Sequence, residues 1–112
     1  MKILITGGAG FIGSHIVDDC MQRGGDIYII DNLSTGLIQN LHQHDENGRF
    51  HFFQADIRDG DALGKIITDI RPEVVFHLAA QINVRESIKN PVHDAEINIL
   101  GTLNLLESMR KV

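Results

Sequence analysis

The sequence predicts an α/β fold, a doubly wound parallel sheet of about four strands in the order 3-2-1-4 with helices on both faces. Three observations predict it. Short apolar runs alternate with segments of helical period, which implies parallel strands joined by right-handed crossovers. The runs are almost continuously apolar, as in sheets covered on both faces. A glycine cluster stands between the first run and the first helical segment.

Each element has a local reason. Lys2-Ile3-Leu4-Ile5-Thr6 is a buried-type strand, stopped by Gly7-Gly8-Ala9-Gly10. From Phe11 the pattern turns helical, with Ile12, Ile16, Val17, Cys20 and Met21 on one side, until Gly24-Gly25 ends it. Asp26-Ile27-Tyr28-Ile29-Ile30-Asp31 is a second strand, rich in β-branched and aromatic residues. Asn32 to Asn47 is polar and turn-forming, with a short helix expected from Leu37 to His42. Arg49 to Gln54 reads as the third strand. Asp59 to Ile70 reads as a helix carrying Leu63, Ile66, Ile67 and Ile70, closed by Pro72. Glu73 to His77 is the fourth strand, and a loop with room for one helical turn runs from Leu78 to Asn90. Pro91 then opens one long helix to about Arg110.

Composition bounds what such a chain can do. With 112 residues, 43% hydrophobic and 22% charged, it has the material for one core and not the make-up of a disordered segment. Ten basic against 15 acidic residues give a net charge of −5, which argues against a broad nucleic-acid surface. The longest apolar runs are too short for a membrane span, and no membrane partner is expected. The N-terminal run meets glycine too soon to be a secretory signal. Cys20 stands alone and cannot form an internal disulfide, so a cytoplasmic location is expected.

The most informative segment is Thr6-Gly7-Gly8-Ala9-Gly10-Phe11-Ile12-Gly13. It satisfies G-x-G-x-x-G from Gly8 and T-G-x-x-G-x-x-G from Thr6. A tight turn, a bare backbone that can approach a pyrophosphate, and close helix–sheet packing each require glycine. The following helix offers unpaired N–H groups and the positive end of its dipole. An acidic residue, Asp31, ends the next strand, 18 positions past Gly13. This context predicts a Rossmann-like dinucleotide-binding fold; the alternative is a turn whose glycines serve packing alone. No Lys-Ser/Thr pair follows the loop, which argues against a Walker-type ATP site. A carboxylate at Asp31 can accept from both adenosine ribose hydroxyls and would repel a 2′-phosphate, and no arginine follows in Asn32-Leu33-Ser34-Thr35-Gly36. NAD is therefore the expected cofactor, ahead of NADP.

These segments resemble the extended short-chain dehydrogenase/reductase family, and within it the NAD-dependent nucleotide-sugar epimerases and dehydratases of UDP-glucose 4-epimerase-like type. The resemblance covers essentially all 112 residues. Besides the glycine loop it rests on Asp31-Asn32-Leu33-Ser34-Thr35-Gly36, Asp56-Ile57-Arg58-Asp59, His77-Leu78-Ala79-Ala80-Gln81 and Asn98-Ile99-Leu100-Gly101-Thr102. It implies that residues 1–112 are the N-terminal part of an NAD(P)-binding Rossmann domain. Gly7, Gly10 and Gly13 would shape the phosphate loop, with Phe11 and Ile12 offering N–H groups. Asp31 and Asn32 would hold the adenosine ribose, with Ser34, Thr35 and Gly36 beside it. Asp56 would accept from the adenine amino group while Ile57 packs on the ring. Leu78, Ala79 and Ala80 would line the middle of the cofactor, Gln81 would border its nicotinamide half, and Asn98 would be the polar helix residue near the strand ends. The residues themselves leave alternatives open: Asp56 as a helix cap, Ala79 and Ala80 as plain core, Asn98 bonded only to backbone.

Family chemistry also implies a Tyr-x-x-x-Lys pair with an upstream Ser or Thr, the lysine lowering the tyrosine's pKa. Tyr28 is the single tyrosine, and Asn32 stands four positions on. No catalytic residue is assigned, and no turnover by these residues alone is expected. The leading reading is the NAD-binding segment of a nucleotide-sugar epimerase, with the sugar nucleotide a substrate only of a longer chain. A nucleotide-sugar 4,6-dehydratase segment and a non-catalytic NAD-binding or structural module are the rivals. His42, His44 and His51 do not make a tetrahedral metal set. His77 is expected to be a structural strand-end residue and Cys20 a buried packing thiol. The last helix has Val92, Ala95, Ile99, Leu103 and Leu106 on one face, widened by Ile97, Leu100, Leu105 and Met109. So broad a stripe predicts burial on more than one side and self-association, by resemblance as a homodimer.

Overall fold

A computed structural model describes residues 1–112. Strands β1 (Lys2–Thr6), β2 (Asp26–Asp31), β3 (Phe50–Gln54) and β4 (Val74–His77) form one sheet in the order β3-β2-β1-β4, as the alternation predicts. All three pairings are parallel, with Ile5 opposite Ile29 on one side and Phe76 on the other. Strand side chains alternate between faces, so each face gathers its own core. On one, Ile5, Ile27 and Ile29 pack with Val17, Cys20 and Met21 of α1 (Phe11–Gln22). On the other, Leu4 and Ile30 pack with Leu63 and Ile67 of α2 (Gly60–Ile70) and with Leu105.

The stops are those the residue types dictate. Past the C-cap Arg23, Gly24 takes φ +87° and donates to the Met21 carbonyl, while Gly25 donates to that of Cys20, the paired bonds of a Schellman motif. Asp59 caps α2, its carboxylate accepting from the Ala62 N–H at 3.1 Å. Arg71 closes it at φ +54° immediately before Pro72.

Two expectations need correction, and a third is filled in. The helix expected over Leu37–His42 is a 3₁₀ segment over Ile38–His44. It buries Leu41 and braces the glycine loop, because the Leu37 N–H and the Asn40 side-chain amide both donate to the Ala9 carbonyl. The loop after β4 carries the helical turn expected there as α3 (Val84–Lys89), capped by Asn83, whose side-chain Oδ1 accepts from the Glu86 N–H. The long final helix is three segments on one path: α4 (Pro91–Ala95), a π-helical turn (Glu96–Gly101) and α5 (Thr102–Arg110). The wide turn sits where tertiary contacts act. Gly101 lies so close to Ile57 that a Cβ would fall 2.6 Å from its Cδ1, and the Thr102 hydroxyl donates back to the Asn98 carbonyl at 2.8 Å.

Only part of the expected stripe on this last helix is covered. Gly101, Leu105 and Ser108 are buried against the sheet and α2, while Val92, Ile99, Leu100, Leu103 and Leu106 are each at least half exposed.

Candidate nucleotide-binding cleft

The strand order reverses between β1 and β4, and at the C-terminal ends of these strands lies a cleft of about 410 Å³. Doubly wound sheets bind ligands at such a switch point. Its floor is the glycine loop. Gly7 has φ +72°, and a Cβ there would fall 2.7 Å from the Ala79 nitrogen and the Leu78 carbonyl carbon. At Gly13 a Cβ would overlap the Gly7 carbonyl oxygen. Bare backbone is thus a steric requirement at both positions.

The loop leads into α1 through Gly10, which has no capping side chain, and the first turn of α1 has no acidic residue. Its first bond is from the Ser14 N–H to the Gly10 carbonyl, at 2.9 Å. The N–H groups of Phe11, Ile12 and Gly13 therefore stand unpaired at the positive end of the helix.

Asp31 is buried, 8% exposed, at the end of β2. One carboxylate oxygen accepts from the Ala9 N–H at 3.0 Å and the other from the Leu33 N–H at 2.8 Å. Each oxygen thus accepts one bond and keeps a lone pair free, and Asp31 lines the cleft. Leu33, at φ +60°, turns the chain sharply past it. Across that turn the Asn32 side-chain Oδ1 accepts from the Ser34 N–H, and its amide donates to Asp56 at 3.2 Å.

Asp56 sits in a fan of donors. The Arg58 guanidinium reaches it at 2.6 Å and the Arg58 N–H at 2.9 Å. The Arg58 hydrogen bond above all, with the Asn32 amide adding, holds its pKa at about 2 against partial burial. Asp56 is not the cap of α2; Asp59 is. Ile57 is 4% exposed and belongs to the second core as much as to the cleft wall.

All the residues singled out in the sequence line this cleft except Gly36, Gln81 and Asn98. Gly36 is packed behind it, where a Cβ would meet Ala9 and Asp31 at 3.0 Å. Gln81 and Asn98 are bonded to each other. The Gln81 N–H donates to the Asn98 side-chain Oδ1 at 2.8 Å, and the Asn98 side-chain amide donates to the Gln81 backbone carbonyl at 2.9 Å. Asn98 thereby fixes the chain leaving the turn at residues 78–80. Ala55, Ile82 and Ile97 also line the cleft and were not singled out. Asn104 was missed as well: its amide donates to the Ile57 carbonyl at 2.9 Å and ties α5 to the Asp56 turn. No motif marks it, since only the folded chain brings residues 57 and 104 together.

The other candidates are structural. His44 binds Asp18 at 2.6 Å, His51 stacks on Tyr28 with ring centroids 4.5 Å apart, and no three His, Cys, Asp or Glu side chains gather around a point. Cys20 is buried, and that burial, with Asp19 adding, pushes its thiol pKa up. A second cavity, about 440 Å³ and almost wholly apolar, lies between α1 and Phe76 at the open edge of β4. No helix is long and apolar enough to cross a membrane.

Comparison with known proteins agrees with this geometry. The family described as GDP-mannose 4,6 dehydratase matches residues 4–112. A putative UDP-glucose 4-epimerase of Methanocaldococcus jannaschii is 56% identical over 97% of this chain and 34% of its own length. The UDP-glucose 4-epimerase of Thermotoga maritima, solved with UDP-glucose, superposes with a TM-score of 0.91 at 46% identity, over 99% of this chain and 34% of that one. The Thermus thermophilus UDP-glucose 4-epimerase, solved with NAD, gives 0.89 at 45% identity, over 99% and 34% respectively. The chain thus spans about a third of the length of the relatives it matches.

Proposed function

The chain belongs to the GDP-mannose 4,6 dehydratase family, and from that premise we propose that it is the NAD-binding segment of a nucleotide-sugar epimerase of the UDP-glucose 4-epimerase kind. One observation carries the proposal. The uncapped start of α1, with its free N–H groups at Phe11, Ile12 and Gly13, opens onto a glycine cradle at the switch point of the sheet. Such a cradle fits a diphosphate bridge and no bulkier neutral group as well.

The remaining residues divide the dinucleotide between them. Asp31 accepts the adenosine ribose hydroxyls with its two free lone pairs, beside Asn32, Ser34 and Thr35. Its ionised carboxylate disfavours a 2′-phosphate, so NAD is preferred to NADP. Asp56 stays ionised through its arginine and accepts from the adenine amino group, with Ile57 against the ring. Leu78, Ala79 and Ala80 line the middle, where a small side chain lets the dinucleotide lie close. Gln81 borders the nicotinamide half. Gly36 and Asn98 act one step removed, Gly36 by packing behind Asp31 and Asn98 by holding Gln81. When bound, NAD supplies a reversible hydride acceptor.

Calorimetric titration tests this reading. NAD and ADP-ribose are expected to bind comparably and NADP at least tenfold more weakly; no binding by any of the three overturns it. A 4,6-dehydratase segment is the second reading, supported by the description of the matching family itself. Sugar-nucleotide binding and catalysis are proposed for residues outside these 112. The exposed apolar side chains of the last helix support a homodimer, which sedimentation velocity checks. A cytoplasmic location goes with this reading, and there a lone thiol such as Cys20 stays reduced.

A further inference from the structure

His77, the last residue of β4, is bonded through both ring nitrogens. Its Nδ1 lies 2.6 Å from the Thr6 hydroxyl oxygen and its Nε2 3.0 Å from that of Thr102. The surrounding bonds fix every proton between them. Thr6 Oγ1 accepts from the Ala79 N–H at 3.2 Å and from the Leu78 N–H at 3.1 Å, the Leu78 proton being shared with the Thr6 backbone carbonyl at 3.0 Å. A hydroxyl has two lone pairs and one proton, so the Thr6 proton goes to Nδ1. Nδ1 is then an acceptor, and Nε2 carries the ring proton. Nε2–H donates to Thr102 Oγ1, whose own proton goes to the Asn98 carbonyl at 2.8 Å.

We propose that His77 is a positioning residue of the nucleotide cleft: as the neutral Nε2–H tautomer it locks the turn Leu78-Ala79-Ala80 against the glycine loop and joins it to the π-helical turn. This rests on the reading that the cleft takes a dinucleotide. The three pieces it joins are the end of β1, the turn that presses on Gly7, and the helical turn whose Asn98 holds Gln81. An imidazolium would put a third donor on Thr6 Oγ1, in competition with the Ala79 and Leu78 N–H groups for two lone pairs. Burial also lowers the pKa of the ring and so favours its neutral form.

Nitrogen NMR of the 112-residue chain labelled at histidine tests the assignment without any variant. At pH 7 the His77 ring is expected to show a protonated Nε2 and a bare Nδ1; an Nδ1–H tautomer or an imidazolium overturns it. His77→Phe removes both bonds, and His77→Asn returns an acceptor near the place of Nδ1. In the phenylalanine variant the Leu78 and Ala79 amides are expected to exchange about tenfold faster while those of Leu4 and Ile67 keep their rates. NAD affinity is expected to fall about tenfold, and asparagine to recover most of that loss. Uniformly faster exchange, or unchanged Leu78 and Ala79, overturns the positioning role. If the unsubstituted chain binds no NAD, the cofactor reading fails, and the ring tautomer and exchange rates still decide the role of His77.

Discussion

Two glycines separate conformational strain from close approach. Gly7 and Gly24 both have left-handed backbones, with φ of +72° and +87°. A methyl group at Gly24 would meet nothing within 4 Å, whereas at Gly7 it would fall 2.7 Å from the backbone of Leu78 and Ala79. Gly24→Ala therefore carries only the left-handed cost, about 1–2 kcal/mol. Gly7→Ala carries that cost plus the displacement of a backbone that cannot rotate aside, on the scale of overpacking at about 1–3 kcal/mol, for a total of about 2–5 kcal/mol. Urea unfolding followed by far-ultraviolet circular dichroism reads the two losses, with equal slopes required for the comparison. The displaced turn also lines the cleft, so Gly7→Ala is expected to weaken NAD by at least tenfold, with Gly24→Ala within twofold of the parent. Equal stability of the two variants, or equal NAD affinity, would refute the claim that Gly7 is bare because the Leu78–Ala79 turn presses on it.

Other perturbations follow from the same contacts. Asp31→Ala strands the buried Ala9 N–H at a cost of about 1–3 kcal/mol and should narrow the gap between NAD and NADP; an unchanged preference in calorimetry rejects Asp31 as selector. Asp59→Ala removes the cap of α2 and should cost about 1 kcal/mol in urea unfolding. Asp56 is depressed from 3.8 to about 2, so its contribution is full above about pH 3.8 and is lost as the pH falls toward 2. Because the Asp56–Arg58 pair is partly exposed, that contribution is about 1 kcal/mol or less. His77 is depressed from 6.5, so below that value the unfolded chain binds the extra proton. Its contribution is full above about pH 6.5 and is lost as the pH falls through the window beneath. Urea midpoints at pH 7.5, 6.5 and 5.5 should decline in the parent, and more steeply than in His77→Asn.

What was legible in the sequence was what local pattern controls. The strands from Lys2 and Asp26 are apolar runs bounded by glycine or acid, and α2 announces itself through Asp59, Leu63, Ile67 and Ile70. The sheet order follows from the alternation, and the glycine loop from its spacing. What was not legible depends on distant partners. Seven residues cannot distinguish a 3₁₀ segment from an α-helix by period, and the segment over Ile38–His44 is shaped by bonds back to Ala9. The π-helical turn is set by Ile57 beneath Gly101 and by Gln81 beside Asn98, contacts 44 and 17 positions away in sequence. The His77 network needs Thr6 and Thr102 at once, 71 positions before it and 25 after. Asp56 and Arg58 stand in one quoted segment, yet that the arginine pairs with the carboxylate depends on a turn that spacing alone does not show.

The most direct test of the cradle is an amide NMR titration of the 112-residue chain with NAD. The Phe11, Ile12 and Gly13 N–H signals are predicted to shift furthest, moving together with those of Ala79 and Ala80 as the site saturates. Saturable binding that leaves the Phe11, Ile12 and Gly13 amides unmoved would contradict the account, because the diphosphate would then be held elsewhere.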